Sequence, residues 1–323
     1  MRYTIGEMAE IIDGDRGKNY PQQHEFLDEG YCLFLNTGNV TKAGFSFDSN
    51  QFISKEKCDL LRKGKLQRHD IVYTTRGTVG NAAFYSDSIP YEHVRINSGM
   101  VIIRPKETIV CTEFLYQILK SDYYRPFFRK YCTGSAQPQL PIKNFSTIEL
   151  DLPDLPVQRF IAGILSSYDD LIENNQKQIK LLEEAAQRLY KEWFVDLRFP
   201  GHETTPIVDG VPEGWCVSSV GDCSCFLRRG ISPKYNEEGS SIVINQKCIR
   251  QSVVDLNEAR RQEKSFDPEM NLNDSDTVIC STGAGTLGRV GQVFGQQPNT
   301  TFDFHVTLVR ASNIVSRAIP ANH

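Results

Sequence analysis

The stretch PVQRFIAGILSSYDDLIENNQKQIKLLEEAAQRLYKEWF, residues 156–194, decides how the chain is organised. Its apolar positions recur in alternating steps of four and three residues, which is the heptad spacing of a coiled coil. This seam consists of Ile161, Leu165, Tyr168, Ile172, Asn175, Ile179, Leu182, Ala186, Leu189 and Trp193. At about 1.5 Å per residue the helix would be roughly 58 Å long, so the seam is predicted to pack against another helix.

The ends of this helix have their own signals. Pro156 suits the first turn of a helix, whereas Pro200-Gly201 and Pro206 end it and open a linker. The polar Asn175 within the seam favours one register or one number of partner helices. Burial of the helix in an ordinary core remains the alternative.

An internal repeat flanks the helix. Four segments of the first half recur in the second half in the same order and at nearly constant spacing. The pairs are 5–12 with 220–227, 33–36 with 242–245, 70–80 with 276–288, and 101–104 with 307–310. Four collinear matches indicate two copies of one domain.

Each copy consists of short β-rich segments broken by Gly, Asn and Asp turns, with a helix predicted over 113–119. The expected fold class is therefore α+β, with two similar domains separated by a long coiled-coil-type helix. The predicted parts are a first domain at 1–153, a helical spacer and linker at 154–205, and a second domain at 206–323. Because nothing after Arg310 matches residues 105–150, we expect the second domain to be incomplete.

Charge argues against a uniformly basic, nonspecific DNA binder. The chain has 36 Lys and Arg residues against 40 Asp and Glu, a net charge of −4. Residues 1–150 alone hold 19 basic against 17 acidic residues, and the densest basic run extends from Lys55 to Arg68. Any contact with DNA is therefore expected to come from local patches, chiefly in the first domain.

The sequence contains no recognised catalytic or metal-binding motif. Six histidines form no HExxH, and nine cysteines form no CxxC pair. Gly283-x-Gly285-x-x-Gly288 matches the dinucleotide fingerprint, but no βαβ unit with a later acidic residue follows. We expect no catalytic residue, no metal and no cofactor.

The absence of an apolar stretch of about 20 residues and the unpaired cysteines predict a cytoplasmic protein without a membrane contact.

Several segments now resemble one protein family. The junction GSAQPQL (134–140) with LPDLPVQRFI (152–161) is similar to that of type I restriction–modification specificity subunits, whose usual form is Pro-Pro-Leu-Pro-Glu-Gln-x-x-Ile. Asp154 and Val157 depart from that form. The segments LYKEWFVD (189–196) and VPEGW (211–215), with the later VGD (220–222), also resemble the family.

The resemblance implies two target-recognition domains that each read half of a split double-stranded DNA sequence. Two long antiparallel helices would set the gap between the halves, as a bipartite reader requires. The implied partners are two DNA methyltransferase subunits, which use S-adenosylmethionine, and the restriction and translocase subunits. This chain lacks the second long helix, so we hypothesise a truncated or shuffled allele whose helix pairs with that of a second copy or stays partly unpaired.

Candidate DNA contacts lie at predicted strand ends and turns, where loops project. They are residue types that read base edges or bind phosphates. The candidates are Asn36, Thr37, Asn39, Thr75, Arg76, Thr78, Arg95, Asn97, Ser98, Gln137 and Gln139, with Lys63, Lys65 and Arg68 as phosphate contacts. Two other functions stay open: a coiled-coil adaptor with two protein-binding domains, and an enzyme that binds a nucleotide at the Gly283 loop.

Overall fold

The computed structural model describes residues 1–134 and 138–312. These residues form two compact units, unit 1 (Met1–Ile179) and unit 2 (Lys180–His323). Gln137 and the end of the predicted incomplete second domain lie outside the described residues.

Unit 1 is rich in short strands. They are β1 (Arg2–Thr4), β2 (Ala9–Asp13), β3 (Cys32–Leu35), β4 (Val40–Thr41), β5 (Gly44–Phe45), β6 (Phe52–Ile53), β7 (Ile71–Thr74), β8 (Ala82–Phe84), β9 (Val94–Ile96), β10 (Met100–Pro105) and β11 (Glu149–Asp151). Its shorter helices are α1 (Ile5–Met8), α2 (Lys55–Leu60), α3 (Thr112–Lys120), α4 (Arg125–Arg129) and α5 (Ile142–Ser146).

The central sheet of unit 1 is antiparallel, with strand order β2-β10-β7-β8. Both of its faces are covered, which explains why 71–73 and 100–103 are unbroken apolar runs. Ile71 contributes to a core that includes side chains of α3 and α5. Val72 points to the other face and packs with Leu33 and Ile96 of a smaller sheet, β6-β3-β9, in which β3 and β9 are parallel.

The predicted helix over 113–119 is confirmed as α3. Phe114, Leu115, Ile118 and Leu119 are buried at i, i+1, i+4 and i+5, which places them on one face of the helix. This face covers the central sheet of unit 1 and completes its larger core.

The predicted long helix is also confirmed, as α6 (Leu155–Tyr190), with 36 residues. A π-helical turn, Lys191–Val195, follows it, so the regular helix ends before Phe194. Gln158 in the first turns is buried in unit 1, where its side chain accepts from the Cys111 N–H at 2.9 Å and donates to the Pro153 carbonyl at 2.9 Å. These bonds anchor the start of α6 to unit 1.

Unit 2 contains the strands β12 (Ile207–Val208), β13 (Val211–Pro212), β14 (Ser224–Arg229), β15 (Ser241–Ile244), β16 (Ile249–Arg250), β17 (Val253–Val254), β18 (Arg260–Gln262), β19 (Thr277–Cys280), β20 (Val290–Gln292), β21 (Thr300–Phe302) and β22 (Val306–Ala311). Its larger sheet has the order β14-β22-β19-β20-β17-β16. Its smaller sheet, β18-β15-β21, again contains a parallel pair, β15 with β21.

Equivalent backbone hydrogen bonds occur within each of the two units, and their residues are separated by a constant spacing along the chain. The amide of Thr75 donates to the Gly99 carbonyl, and that of Ser281 donates to the His305 carbonyl, each at 2.9 Å. The same spacing relates His69 to Ser275, which both have a positive φ, of 71° and 67°. The bond from Tyr85 N to Asp70 O has a counterpart from Val293 N to Asp276 O, in which Val293 lies two residues further along the chain than this spacing predicts.

A buried ion pair repeats in the same way. In unit 1, Arg104 donates to both carboxylate oxygens of Asp70 at 2.8 Å. In unit 2, Arg310 donates to both oxygens of Asp276 at 2.8 Å. The α+β fold class, with a long helix between sheet-rich parts of similar strand order, is therefore observed.

Candidate nucleic-acid interface

Five loops of unit 1 meet at one edge of its sheets. Strands β2 and β7 end where β8 and β10 begin, and the parallel strands β3 and β9 end together. The loops are 14–18, 36–39, 62–65, 75–81 and 97–99, and we call this surface the loop edge of unit 1.

Backbone bonds join these loops to one another. The amides of Thr75 and Arg76 donate to the Gly99 carbonyl at 2.9 and 3.1 Å. The Asn97 amide donates to Leu35 O at 3.0 Å, and the Ile96 amide donates to Gly64 O at 2.9 Å. Because these connections are made by the backbone, they do not depend on the side chains that project from the loops.

Seven of the predicted residues present accessible side chains at or beside the loop edge. Within the described part of the chain, these side chains make no hydrogen bond or ion pair. They are Thr37, Lys63, Lys65, Arg76, Thr78, Ser98 and Gln139. Gln139 joins the group because its backbone forms a β-bridge with Arg76. Their role in binding DNA stays a prediction.

Arg95 and Arg68 have internal partners instead. Arg95 is 6% exposed, and its guanidinium donates to the carbonyls of Lys63 at 2.7 Å and Leu61 at 2.9 Å. Arg68 donates to the Ser86 carbonyl at 2.8 Å and also lies over the ring of a neighbouring tyrosine. Both guanidiniums stabilise loops of unit 1, so the structure does not offer them to a base or a phosphate.

Four polar candidates are also used internally. Asn39 is buried and donates to the carbonyls of two residues of the 46–49 loop. Thr75 is buried and donates through its hydroxyl to Gly99 O at 3.1 Å. Asn36 and Asn97 accept from the amides of Gly38 and Gly99 at 2.8 and 2.9 Å. These side chains fix the loop conformations, so we leave them out of the proposed contact surface.

Three basic residues at the loop edge of unit 1 were not among the predicted contacts, although Arg62 lies in the predicted basic run from Lys55 to Arg68. Arg16, Lys18 and Arg62 are exposed there. Asp15 joins their loops, because its two carboxylate oxygens accept from the amides of Gly17 at 2.7 Å and Arg62 at 2.8 Å. The Gly17 amide is also the main reason that the pKa of Asp15 is lowered. The Gly-x-x-Gly turn at 14–17, directly after a strand, was the available signal.

Unit 2 has an equivalent loop edge, formed by loops 230–234, 245–248, 281–289 and 303–305. The Oγ1 of Thr282 and the Nδ1 of His305 are hydrogen-bonded at 2.7 Å. The backbone amide of His305 donates to Asp303 Oδ1 at 2.9 Å. Leu287 and Phe304 are 70% and 39% exposed, so this edge is more apolar than that of unit 1.

The predicted helix seam is largely exposed along α6. Its apolar members Leu165, Tyr168, Ile172, Ile179, Leu182 and Leu189 are exposed, and so is Asn175, whereas Ala186 and Trp193 are half-buried. Ile161 differs, because it packs against the larger core of unit 1 and is therefore part of that unit and not of a seam for another helix. Pairing of the remaining seam with a second helix stays a prediction.

The loops carry no arrangement typical of a metal centre. Over residues 1–134 and 138–312, His, Cys, Asp and Glu side chains form no group of three or more that could hold a metal ion. The same residues include no helix that is both long and apolar enough to span a membrane.

Comparison with known proteins identifies the family. Residues 1–184 match the family model described as type I restriction modification DNA specificity domain. The chain belongs to this family. The predicted family is thereby confirmed.

Two curated relatives illustrate how much of a specificity subunit is matched. The MjaIX specificity subunit of Methanocaldococcus jannaschii is 32% identical over 156 residues, which is 47% of this chain and 35% of the relative. The HindI specificity subunit of Haemophilus influenzae is 27% identical over 199 residues, which is 59% of this chain and 42% of the relative. The chain thus spans less than half the length of either relative.

A solved structure supports the fold. The S subunit of a type I restriction-modification system from M. genitalium aligns with a TM-score of 0.56 and 14% identity. The alignment covers 98% of this chain and 74% of that subunit. At this identity the likeness concerns the fold alone.

Proposed function

We propose that the chain is a non-catalytic, sequence-reading DNA specificity subunit, in which each unit contacts one half of a split sequence through its loop edge. The observation that carries the proposal is the pair of equivalent loop edges in a member of the DNA specificity family. The loop edge of unit 1 collects the cations Arg62, Lys63, Lys65 and Arg76, whereas Arg16 is paired with Asp13 at 3.1 Å. Such a local patch can bind phosphates despite the net negative charge of the chain.

Different residues of unit 1 have different proposed roles. Arg76 lies directly before the 77–80 turn, and its guanidinium has no partner among the described residues. A guanidinium suits the O6 and N7 of guanine. Thr37, Thr78 and Ser98 supply small hydroxyls beside Arg76. Lys18, Arg62, Lys63 and Lys65 are better suited to phosphates, which position the domain without selecting a base.

The proposed partners follow from the family and from the exposed helix. We propose that the catalytic steps are carried out by two DNA methyltransferase subunits and by restriction and translocase subunits. The seam of α6 from Leu165 onward would contact these subunits or a second copy of this chain. Exposed apolar side chains along a helix of 36 residues support a protein partner. The nine free cysteines support a reducing, cytoplasmic location.

The test begins with methylome sequencing of cells that carry the chain and its methyltransferase, which supplies the split sequence. Binding of cognate and random duplexes is then measured over a range of salt. Arg76→Ala should weaken cognate binding by about 1–3 kcal/mol and leave random binding nearly unchanged. Lys65→Ala should weaken both alike and lower the salt slope by about one.

A matched control comes from the opposite edge of unit 1. Lys106 is exposed and follows the far end of β10, so Lys106→Ala should leave both affinities unchanged. Equal losses on cognate and random DNA for Arg76→Ala would contradict its role in base reading. No salt-sensitive binding even with the methyltransferase present would reject the proposal and favour an adaptor with two protein-binding domains.

A further inference from the structure

Equivalent positions on the two loop edges carry side chains of different chemical character. At the spacing that relates Asp70 to Asp276, Ser98 and Gly99 of unit 1 correspond to Phe304 and His305 of unit 2. Equivalent bonds hold both ends of the loop. At its start, Asp303 N donates to Ile244 O as Asn97 N donates to Leu35 O, and at its end, His305 O accepts from Ser281 N as Gly99 O accepts from Thr75 N. A small polar turn in unit 1 is therefore replaced by an aromatic pair in unit 2.

Phe304 is held in a defined place. Its ring centroid lies 4.1 Å from that of His305, and the two planes are tilted by 38°. His305 is itself fixed by its bonds to Thr282 and Asp303. The carbonyl of Phe304 accepts from Nε of Arg229, so both backbone and ring are constrained.

The exposed part of Phe304 has one fitting partner in a DNA groove. The major groove presents donors, acceptors and a single apolar group, the C5 methyl of thymine. His305 lies against one side of the ring and Phe304 is 39% exposed, so its open surface suits contact with an apolar group in the groove better than deep insertion between stacked bases. Leu287, on the neighbouring 281–289 loop, adds a second exposed apolar side chain to the same edge.

We infer that Phe304, with Leu287, is a specificity determinant that contacts the C5 methyl of a thymine in the half-site read by unit 2. The inference rests on the proposed function, because it requires that this loop edge faces DNA. It predicts that unit 2 selects a thymine by apolar contact, whereas unit 1 selects bases through Arg76 and hydroxyls.

Deoxyuridine provides a direct probe, because it keeps the pairing of thymine and lacks only the methyl group. With the split sequence in hand, each thymine of a cognate duplex is replaced in turn, and affinity for the full chain with its methyltransferase is measured. At one thymine the unmodified protein should lose about fourfold in affinity, the factor expected for burying one methyl-sized group. Phe304→Ala should bind the two duplexes equally at that position.

Phe294→Ala is the matched control. Phe294 is 60% exposed and follows the end of β20, at the opposite edge of the larger sheet of unit 2. This variant should keep the fourfold preference for thymine. Leu287→Ala, at a loop position with little burial, should reduce the preference and serves as the second variant if Phe304→Ala does not fold.

The outcomes separate the inference from the proposed function. Specific binding without a preference for thymine over deoxyuridine at any position, or a preference that survives Phe304→Ala, overturns the inference and leaves the function standing. If Phe304→Ala does not fold, an undiminished preference in Leu287→Ala overturns it. A recognised sequence that contains no thymine pair in either half overturns it as well. Absence of any specific binding would instead remove the proposed function.

Discussion

Each unit contains an equivalent buried ion pair, and replacement of Arg310 by methionine tests the one in unit 2. Arg310 Nε and Nη2 each lie 2.8 Å from an oxygen of Asp276, whose side chain is almost completely buried. The Asn273 amide donates to the same carboxylate at 2.7 Å. Methionine preserves much of the volume but leaves the carboxylate with the Asn273 amide as its remaining donor among the described residues.

The expected cost is large, because breaking a buried ion pair leaves an uncompensated charge, at about 3–5 kcal/mol. The corresponding Arg104→Met in unit 1 should cost about 1 kcal/mol less. The difference arises because Arg310 also donates to the carbonyls of Asn271 at 2.8 Å and Glu269 at 3.3 Å. Arg104 donates to no carbonyl oxygen in the described chain.

The chain provides its own probes for the assay. Cys248 and Cys280 are fully buried in unit 2, and Cys32 and Cys58 are fully buried in unit 1. Thiol labelling under native conditions, with the labelled residue located by mass spectrometry, reports the opening of each unit. Since about 1.4 kcal/mol corresponds to a factor of ten, Arg310→Met should accelerate labelling of Cys248 and Cys280 by roughly 100-fold to several thousand-fold.

A second variant isolates the effect of charge. In Asp276→Asn combined with Arg310→Met, no buried charge remains unpaired, so the thiols of unit 2 should be protected better than in Arg310→Met alone. An acceleration below tenfold at Cys248, or an equal acceleration at Cys32, would refute the reasoning. The first result would mean that the pair contributes little, and the second that its loss is not confined to unit 2.

Three further changes have expected outcomes. Gly230→Ala should destabilise unit 2 by about 2–3 kcal/mol in urea unfolding, because the new Cβ would lie 2.2 Å from Asp303 O. Gly221→Ala is the control and should have little effect, because the atom nearest to its new Cβ is 3.6 Å away. Burial raises the pKa of Asp303, so its ionised form destabilises unit 2 above that pKa, and this penalty disappears as the pH falls towards the ordinary value of 3.8. Asp303→Asn should therefore remove this part of the pH dependence of unfolding in urea. Leu182→Gln, at a side chain 70% exposed, should leave the free energy of unfolding within about 0.5 kcal/mol of its starting value but weaken helix pairing in sedimentation experiments.

The long helix and the repeat could be predicted from the sequence because both have periods. The heptad spacing from Ile161 to Trp193 predicted a single helix, although it did not predict the π-helical turn at Lys191–Val195. The repeat was visible because Asp276 and Arg310 recur at the same offset from Asp70 and Arg104, and a buried pair restricts both positions.

The candidate site was harder to predict, since residue type alone does not reveal a partner distant in sequence. Arg95 was expected to read a base, but it lies in the middle of β9 and meets carbonyls of the 61–63 segment. Asn39 likewise bonds a loop that follows it. Arg16 was missed because its proximity to Ser98 O, at 3.3 Å, depends on how the strands pair. Residue type thus identified polar positions on the loops, but the internal partners of individual side chains could be seen only in the fold.

The two units suggest how one framework can select different DNA sequences. The features that repeat between them are backbone hydrogen bonds and one buried ion pair, neither of which requires a particular side chain on the loops. Between those fixed points, Arg76 is replaced by Thr282 and Ser98 by Phe304. The framework keeps each loop at the same edge of its sheet, so a substitution there alters the groups offered to a base without altering the fold. We therefore expect Ser98→Phe, which copies position 304, to alter base preference at little cost in stability. Exchange of the whole loop 97–99 with loop 303–305 should cost more, because a Cβ at position 99 would lie 2.8 Å from Cγ2 of Thr37. Loss of folding in Ser98→Phe would show that loop and framework are coupled.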